Sequence, residues 1–233
     1  MDRWKPALAE AFGTFALTFF GAGAIIMDAH TGGGVGLLGV AFAHGIVLAV
    51  MVTATLHISG GHLNPAVSMA AWATKLIDAK TAVRYMVFQV TGAIAAAGIL
   101  VSLYPDAAVN AAAVGTPTLS ADVTVAQGVL IEAILTFFLV FAVFGTAVDS
   151  RAPKVGGFAI GLVLVFDILA GGPLTGAAMN PARAFGPAVA SGQWANHVVY
   201  WAGPIIGALA AGTVYTRLFM PGGAAGSTDL SDG

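Results

Sequence analysis

Apolar residues run along this chain in long blocks separated by short polar or glycine-rich breaks. Six blocks approach or reach the roughly 20 residues that a helix needs to cross a hydrocarbon core of about 30 Å. They cover residues 7–27, 36–56, 81–103, 123–148, 155–170 and 195–218. The fifth is short unless Gly171 and Gly172 extend it. Two further apolar pieces, 65–73 and 181–190, are only half a bilayer long. One opens on Asn64-Pro65-Ala66 and the other on Asn180-Pro181-Ala182. Asparagine is a good N-cap and proline is favoured at the first helical position. The pattern therefore predicts six spans and two half-helices with defined starts.

The halves repeat. Ala9-Glu10-Ala11 followed by Phe12-Gly13-Thr14-Phe15 has a partner in Ile131-Glu132-Ala133 followed by Ile134-Leu135-Thr136-Phe137. Gly45 and Gly161 each stand 19 residues before the asparagine of their own half. Each half, about 7–103 and 123–218, holds three spans, so the halves have opposite orientations in the membrane. Inverted repeats place their site near the midplane, with half-helix N-termini aimed at it. A lone Asn-Pro-Ala is ordinary helix capping. Two in register within an apolar inverted repeat point to a site.

Composition agrees with a lipid environment. Of 233 residues, 58% are apolar and 9% charged, the mean hydropathy is +0.89, and soluble chains carry roughly 25% charged residues. A net charge of −2 argues against a nucleic-acid partner. With no cysteine, disulfides and thiolate metal sites are excluded. Arg3 and Lys5 precede an apolar run as in a signal peptide, but the run continues to Met27 without a clear cleavage site, so it reads as a retained span. A single transmembrane domain is expected over 1–220, with a disordered tail at 221–233 rich in Gly, Ser and Asp.

Eight of the nine basic residues fall on one face of this topology: Arg3, Lys5, Lys75, Lys80, Arg84, Arg151, Lys154 and Arg217. The positive-inside rule makes that face and both termini cytoplasmic. The exception, Arg183, directly follows the second Asn-Pro-Ala. Glu10 and Glu132 are intramembrane acids at equivalent repeat positions and are expected to hold the loop of their own half through its backbone N–H groups. Asp167 is expected either to hydrogen-bond within the second loop or to line the outer vestibule.

Glu10 with Gly13 and Thr14, the segment 59–67 reading Ser-Gly-Gly-His-Leu-Asn-Pro-Ala-Val, and Met179-Asn180-Pro181-Ala182-Arg183 together resemble the signature of the aquaporin, or major intrinsic protein, family. The resemblance extends from Ala9 to about Arg217. It implies an all-α membrane protein of six transmembrane helices plus two re-entrant half-helices. It further implies a homotetramer in the lipid bilayer, with one pore per subunit. The implied function is passive passage of water, with protons and ions excluded and with no cofactor, metal or catalysis. Gly60, Gly61, His62 and Leu63, and Gly176, Ala177, Ala178 and Met179, would present a ladder of carbonyls to single-file water. Arg183 would be the arginine of an outer filter whose other members are His44, Ile168 and Ala177.

That filter resembles those of some tonoplast-type channels of plants, which implies passage of ammonia as well as water. A histidine at position 44 is expected to restore a donor lost where Ile168 replaces a filter histidine. The segment 172–176 is similar to glycerol facilitators, but Ala184, Ala188 and the pair Tyr200-Trp201 are not. A glycerol facilitator is the alternative permeation reading. An inverted-repeat secondary transporter is the alternative of another class, although no acid cluster beyond the two glutamates would bind a coupling ion. An intramembrane enzyme lacks both a cysteine and a His-Glu-x-x-His pattern. The plasma membrane is the expected location.

Overall fold

A computed structural model describes residues 4–220; the tail expected at 221–233, and Arg3, lie outside the described residues. The chain forms α1 (Lys5–His30), α2 (Gly36–Ser59), α3 (Pro65–Ala73), α4 (Ala79–Leu103), α5 (Asp106–Ala111), α6 (Val125–Val143), α7 (Phe158–Thr175), α8 (Pro181–Ser191) and α9 (Val199–Leu218). A π turn, Phe144–Val148, prolongs α6. Among the described residues, five helices have the length and apolarity to cross a membrane: α1, α2, α4, α7 and α6 with its π turn. The 20-residue α9 is the repeat counterpart of α4. It lies against α6 as α4 lies against α1.

The starts and stops follow local chemistry. Asn64 and Asn180 take extended backbone and accept N–H bonds from the first turns of α3 and α8, each with proline at its first position. Asp78 caps α4 by accepting from Thr81 N, and Thr124 with Gln127 forms a capping box on α6. The helices α2 and α7 both stop at glycines in the left-handed region, Gly60 at φ 89° and Gly176 at φ 83°, where a Cβ would be strained.

The halves exchange their half-helices. The first half's α3 packs on α9 of the second half, and α8 packs on α4 of the first, while α2 and α7 meet across the repeat interface. Glycines permit the closest approaches: a Cβ at Gly92 would lie 2.2 Å from the Ala11 carbonyl oxygen, and one at Gly207 would lie 2.0 Å from that of Ala133. These are equivalent contacts in the two repeats, α4 on α1 and α9 on α6. Small residues at such crossings let backbones come together in membranes.

Side-chain distribution is inverted relative to a soluble protein. Phe12, Phe20, Leu38, Leu130, Phe138 and Phe158 are exposed, whereas Glu10, Gln89, Glu132 and Arg183 are buried. Some boundaries differ from the sequence reading. The helix expected at 155–170 begins at Phe158 and continues to Thr175 with Pro173 in its last turn, because that late proline removes one N–H without ending the helix. The span expected at 195–218 begins at Val199, after a turn in which Asn196 has φ 55°. Between the repeats lie α5 and a short turn, Ala113–Gly115, which hydropathy does not signal. Ala113, Val114 and Gly115 all take positive φ there.

Candidate functional site

The two half-helices meet through their caps. Asn64 Oδ1 accepts from Ala66 N at 2.8 Å, and Asn180 Oδ1 accepts from Ala182 N at 3.0 Å and Arg183 N at 3.2 Å. Each side-chain amide then crosses to the other repeat: Asn64 Nδ2 donates to the Met179 carbonyl at 2.9 Å, and Asn180 Nδ2 donates to the Leu63 carbonyl at 2.8 Å. An amide carries two N–H groups, so each asparagine keeps one after this crossing.

The segments before the asparagines run through the left-handed region at Gly60, Gly61 and Leu63 in the first repeat and at Gly176, Ala177 and Met179 in the second. Their N–H groups all turn to buried acceptors. Glu10 accepts from Ser59 Oγ at 2.6 Å, His62 N at 3.0 Å, Leu63 N at 2.5 Å and Gln89 Nε2 at 2.7 Å. Glu132 accepts from Thr175 Oγ1 at 2.7 Å, Ala178 N at 2.9 Å and Met179 N at 2.7 Å. Gly61 N and Ala177 N donate to Ser59 Oγ and Thr175 Oγ1. With these N–H groups held by the acids and hydroxyls, the Leu63 and Met179 carbonyls accept from the asparagine of the opposite repeat.

A hollow lies beside these segments. A central cavity, narrow at about 20 Å³, is bordered by both asparagines, Gly61, His62, Ala177, Ala178 and Met179 among others. An outer vestibule of about 480 Å³ shares Arg183 with its lining, and an inner one of about 340 Å³ shares His62, Val67 and Val143. The sequence-named set divides accordingly: His44, Ala177 and Arg183 border the central cavity, Ile168, Gly176 and Arg183 the outer vestibule, and Gly60 and His62 the inner one. The result is a narrow middle cavity flanked by two wide ones, each sharing lining residues with it. Apart from the asparagines, His44, His62, Arg183 and backbone groups, the middle is lined by aliphatic side chains such as Leu48, Val52 and Leu164.

Arg183 is only 3% exposed, and its guanidinium is held on two sides. Nη1 donates to the Gly115 carbonyl at 2.8 Å, while Nε and Nη2 lie 3.3 and 3.2 Å from His44 Nε2. His44 Nδ1 lies 2.8 Å from the Val40 carbonyl. A carbonyl only accepts, so Nδ1 carries the proton and Nε2 is the acceptor for arginine. Both ring nitrogens are committed. The donor that the sequence reading assigned to the lumen turns to Val40 instead.

Several contributors escaped sequence reasoning. Tyr85 Oη donates to the Ser59 carbonyl at 3.0 Å, and Tyr200 Oη to the Thr175 carbonyl at 2.8 Å. Ser59 and Thr175 each stand five residues before their asparagine, a register that could have found them. Gly115 had no such signal. Asp167 is 2% exposed, is absent from the outer-vestibule lining, and has one carboxylate oxygen without a partner among the described residues. Nothing in the structure explains it.

Helices long enough to cross a bilayer, polar groups turned inward and a narrow cavity flanked by wider ones fit a passive membrane channel. A sequence model of the family described as Major intrinsic protein matches residues 1–215. The chain is 46% identical over 227 residues to "Aquaporin TIP4-4" of Zea mays, covering 94% of this chain and 88% of that protein. It is 40% identical to "Aquaporin-4" of Mus musculus, covering 94% and 68%. Among solved structures, the "X-ray structure of the aquaglyceroporin from Plasmodium falciparum" superposes with a TM-score of 0.85, covering 94% of this chain and 98% of that one at 22% identity, a likeness of fold. The chain belongs to the major intrinsic protein family and is a water channel of its aquaporin branch.

Proposed function

We propose that this channel passes water in single file, and ammonia with it, through an outer constriction formed by His44, Ile168, Ala177 and Arg183, and that it excludes protons and ions at the paired asparagines. The cross-bonded caps carry this reading. Each half-helix N-terminus brings roughly half a positive charge to the junction, and Asn64 and Asn180 each retain an N–H for a passing water oxygen. A water held there by its oxygen turns both hydrogens outward, which breaks the chain along which protons would hop. A cation meets two positive ends and loses hydration without replacement, at a cost of several kcal/mol or more. The carbonyls of 60–63 and 176–179 supply weak acceptors in sequence, and weak, multiple binding is what conduction requires. Glu10 and Glu132 serve by fixing those loops.

Selectivity among neutral solutes follows from the same ring. With His44 occupied by Arg183, the donors at the constriction belong to arginine, and Ile168 and Ala177 form the apolar remainder. Such a ring suits small polar molecules and offers glycerol little. The protein is proposed to assemble as a homotetramer with one path per subunit. The basic residues Lys75, Lys80, Arg84, Arg151, Lys154 and Arg217 support a reading with both termini cytoplasmic. Relatives named as TIP types weigh toward an internal, tonoplast-like membrane over the plasma membrane.

Stopped-flow light scattering on proteoliposomes tests this. Water flux with a low activation barrier and no dependence on an ion gradient is expected, together with measurable ammonia flux and little glycerol flux. A saturable, gradient-dependent flux would overturn the channel mechanism. Glycerol flux at the water-normalised rate of a facilitator would overturn the constriction.

A further inference from the structure

Gly21 lies in the middle of α1, one helical turn after Leu17 and one before Ile25. Leu17 borders the central cavity and Ile25 the outer vestibule. Residues four apart share a helix face, so Gly21 occupies the same pore-side stripe, at the level where the two cavities share Arg183. A Cβ built on Gly21 would lie 2.4 Å from His44 Nε2, 2.5 Å from Cδ2 and 2.9 Å from Cε1. The imidazole fills the space that a side chain at position 21 would occupy.

We propose that Gly21 is a positioning residue for selectivity: its missing side chain lets the His44 ring rest against α1 with Nε2 accepting from Arg183, and so sets the width of the constriction. This rests on the ring of His44, Ile168, Ala177 and Arg183 being the constriction. The imidazole has no idle direction in which to move. Its Nδ1 is tied to Val40 and its Nε2 to Arg183. Carbon and its neighbours rest about 3.5 Å or more apart, so a methyl at 21 displaces the ring by about 1 Å, away from α1 and into the lumen. The Arg183 guanidinium then loses its acceptor, and the path narrows at its tightest level.

The test compares wild type, Gly21→Ala, His44→Ala and the double variant in proteoliposomes, reading water and ammonia permeability per inserted channel. Gly21→Ala is expected to lower water permeability by about threefold or more, with ammonia falling at least in proportion. In the His44→Ala background the same change is expected to alter neither by more than about 1.5-fold, because coupling between two positions vanishes once one partner is removed. A general packing defect in α1 would act in both backgrounds. Unchanged permeability in Gly21→Ala, or an equal loss in both backgrounds, overturns the proposal. Should Gly21→Ala fail to insert while the double variant inserts, the steric pairing stands; failure of both places the clash elsewhere and overturns it. The constriction itself is read separately: if His44→Ala and Arg183→Ala both leave the ammonia-to-water ratio at the wild-type value, that ring is not the filter, whatever Gly21 does.

Discussion

The two buried glutamates look equivalent but do not stand in equivalent surroundings, and replacing each by glutamine separates them. In Glu132→Gln, the amide oxygen can keep the bonds from Thr175 Oγ1 and Ala178 N. The new –NH2 then faces Met179 N, donor against donor, and Met179 N is left without an acceptor. On the α9 side the inserted –NH2 meets no side-chain acceptor, since the residue facing this acid is Gly203, whose Cβ would lie 2.6 Å from Glu132 Cβ, with Pro204 beside it. In Glu10→Gln, Leu63 N loses its acceptor in the same way. Gln89, however, can turn its amide over. Its oxygen, unpartnered among the described residues, then accepts from the new –NH2 and Ser68 Oγ can donate to it, while its own –NH2 takes the oxygen's former place, so the number of orphaned Gln89 groups is unchanged. A buried polar group left unmade costs about 1–3 kcal/mol, so Glu10→Gln should cost about that and Glu132→Gln about twice as much. At about 2–4 °C per kcal/mol for a chain of this size, the melting temperature of purified protein should fall by about 2–12 °C for Glu10→Gln and about 4–24 °C for Glu132→Gln. Thermal unfolding followed by tryptophan fluorescence in one detergent measures both. Equal shifts, or a larger one for Glu10→Gln, would refute the reasoning about Gln89.

Arg183→Ala should raise the glycerol-to-water permeability ratio by about tenfold, a change of about 1.4 kcal/mol in the barrier difference, and leave channel insertion unchanged; an unaltered ratio in stopped-flow assays speaks against the constriction. Gly207→Val places side-chain atoms where even a Cβ would lie 2.0 Å from the Ala133 carbonyl, and forcing α9 off α6 should cost at least about 2 kcal/mol, read as a loss of folded protein on gel filtration. Arg151 donates to Asp149 through N, Nε and Nη2 and holds its carboxyl well below the usual carboxylate range. A depressed folded-state value makes this contribution full above the unfolded value of about 3.9 and lost as pH falls below it. The melting-temperature difference between wild type and Arg151→Ala should therefore stay constant from pH 8 to 5 and shrink below about pH 4; a difference that grows in acid would contradict the sign.

The architecture was legible because its main determinants are local. Asn64-Pro65 and Asn180-Pro181 mark helix starts by capping chemistry alone, and α3 runs over the expected residues, Pro65–Ala73. Hydropathy located the spans but not their ends, since α7 persists through Pro173 to Thr175 by hydrogen bonds that no apolar count registers. The junction of the caps was legible only through the repeat. What sequence could not supply were the partners that arrive from elsewhere in the chain. The Gly115 carbonyl reaches Arg183 from a turn between the repeats whose residues carry no pattern, and His44 turns its ring according to Val40 and Arg183 together. Side-chain direction at such a point depends on three elements at once.

The exchange of half-helices orders the birth of the molecule. When α8 emerges it meets α4, already made; α3, by contrast, must wait for α9, the last helix of the described chain, before its far flank is covered. Asn64, for its part, has no Met179 carbonyl to grip until the second repeat has been made as far as α8. The cover over the first half-helix is thus completed only by α9, so the first repeat cannot finish its own packing alone.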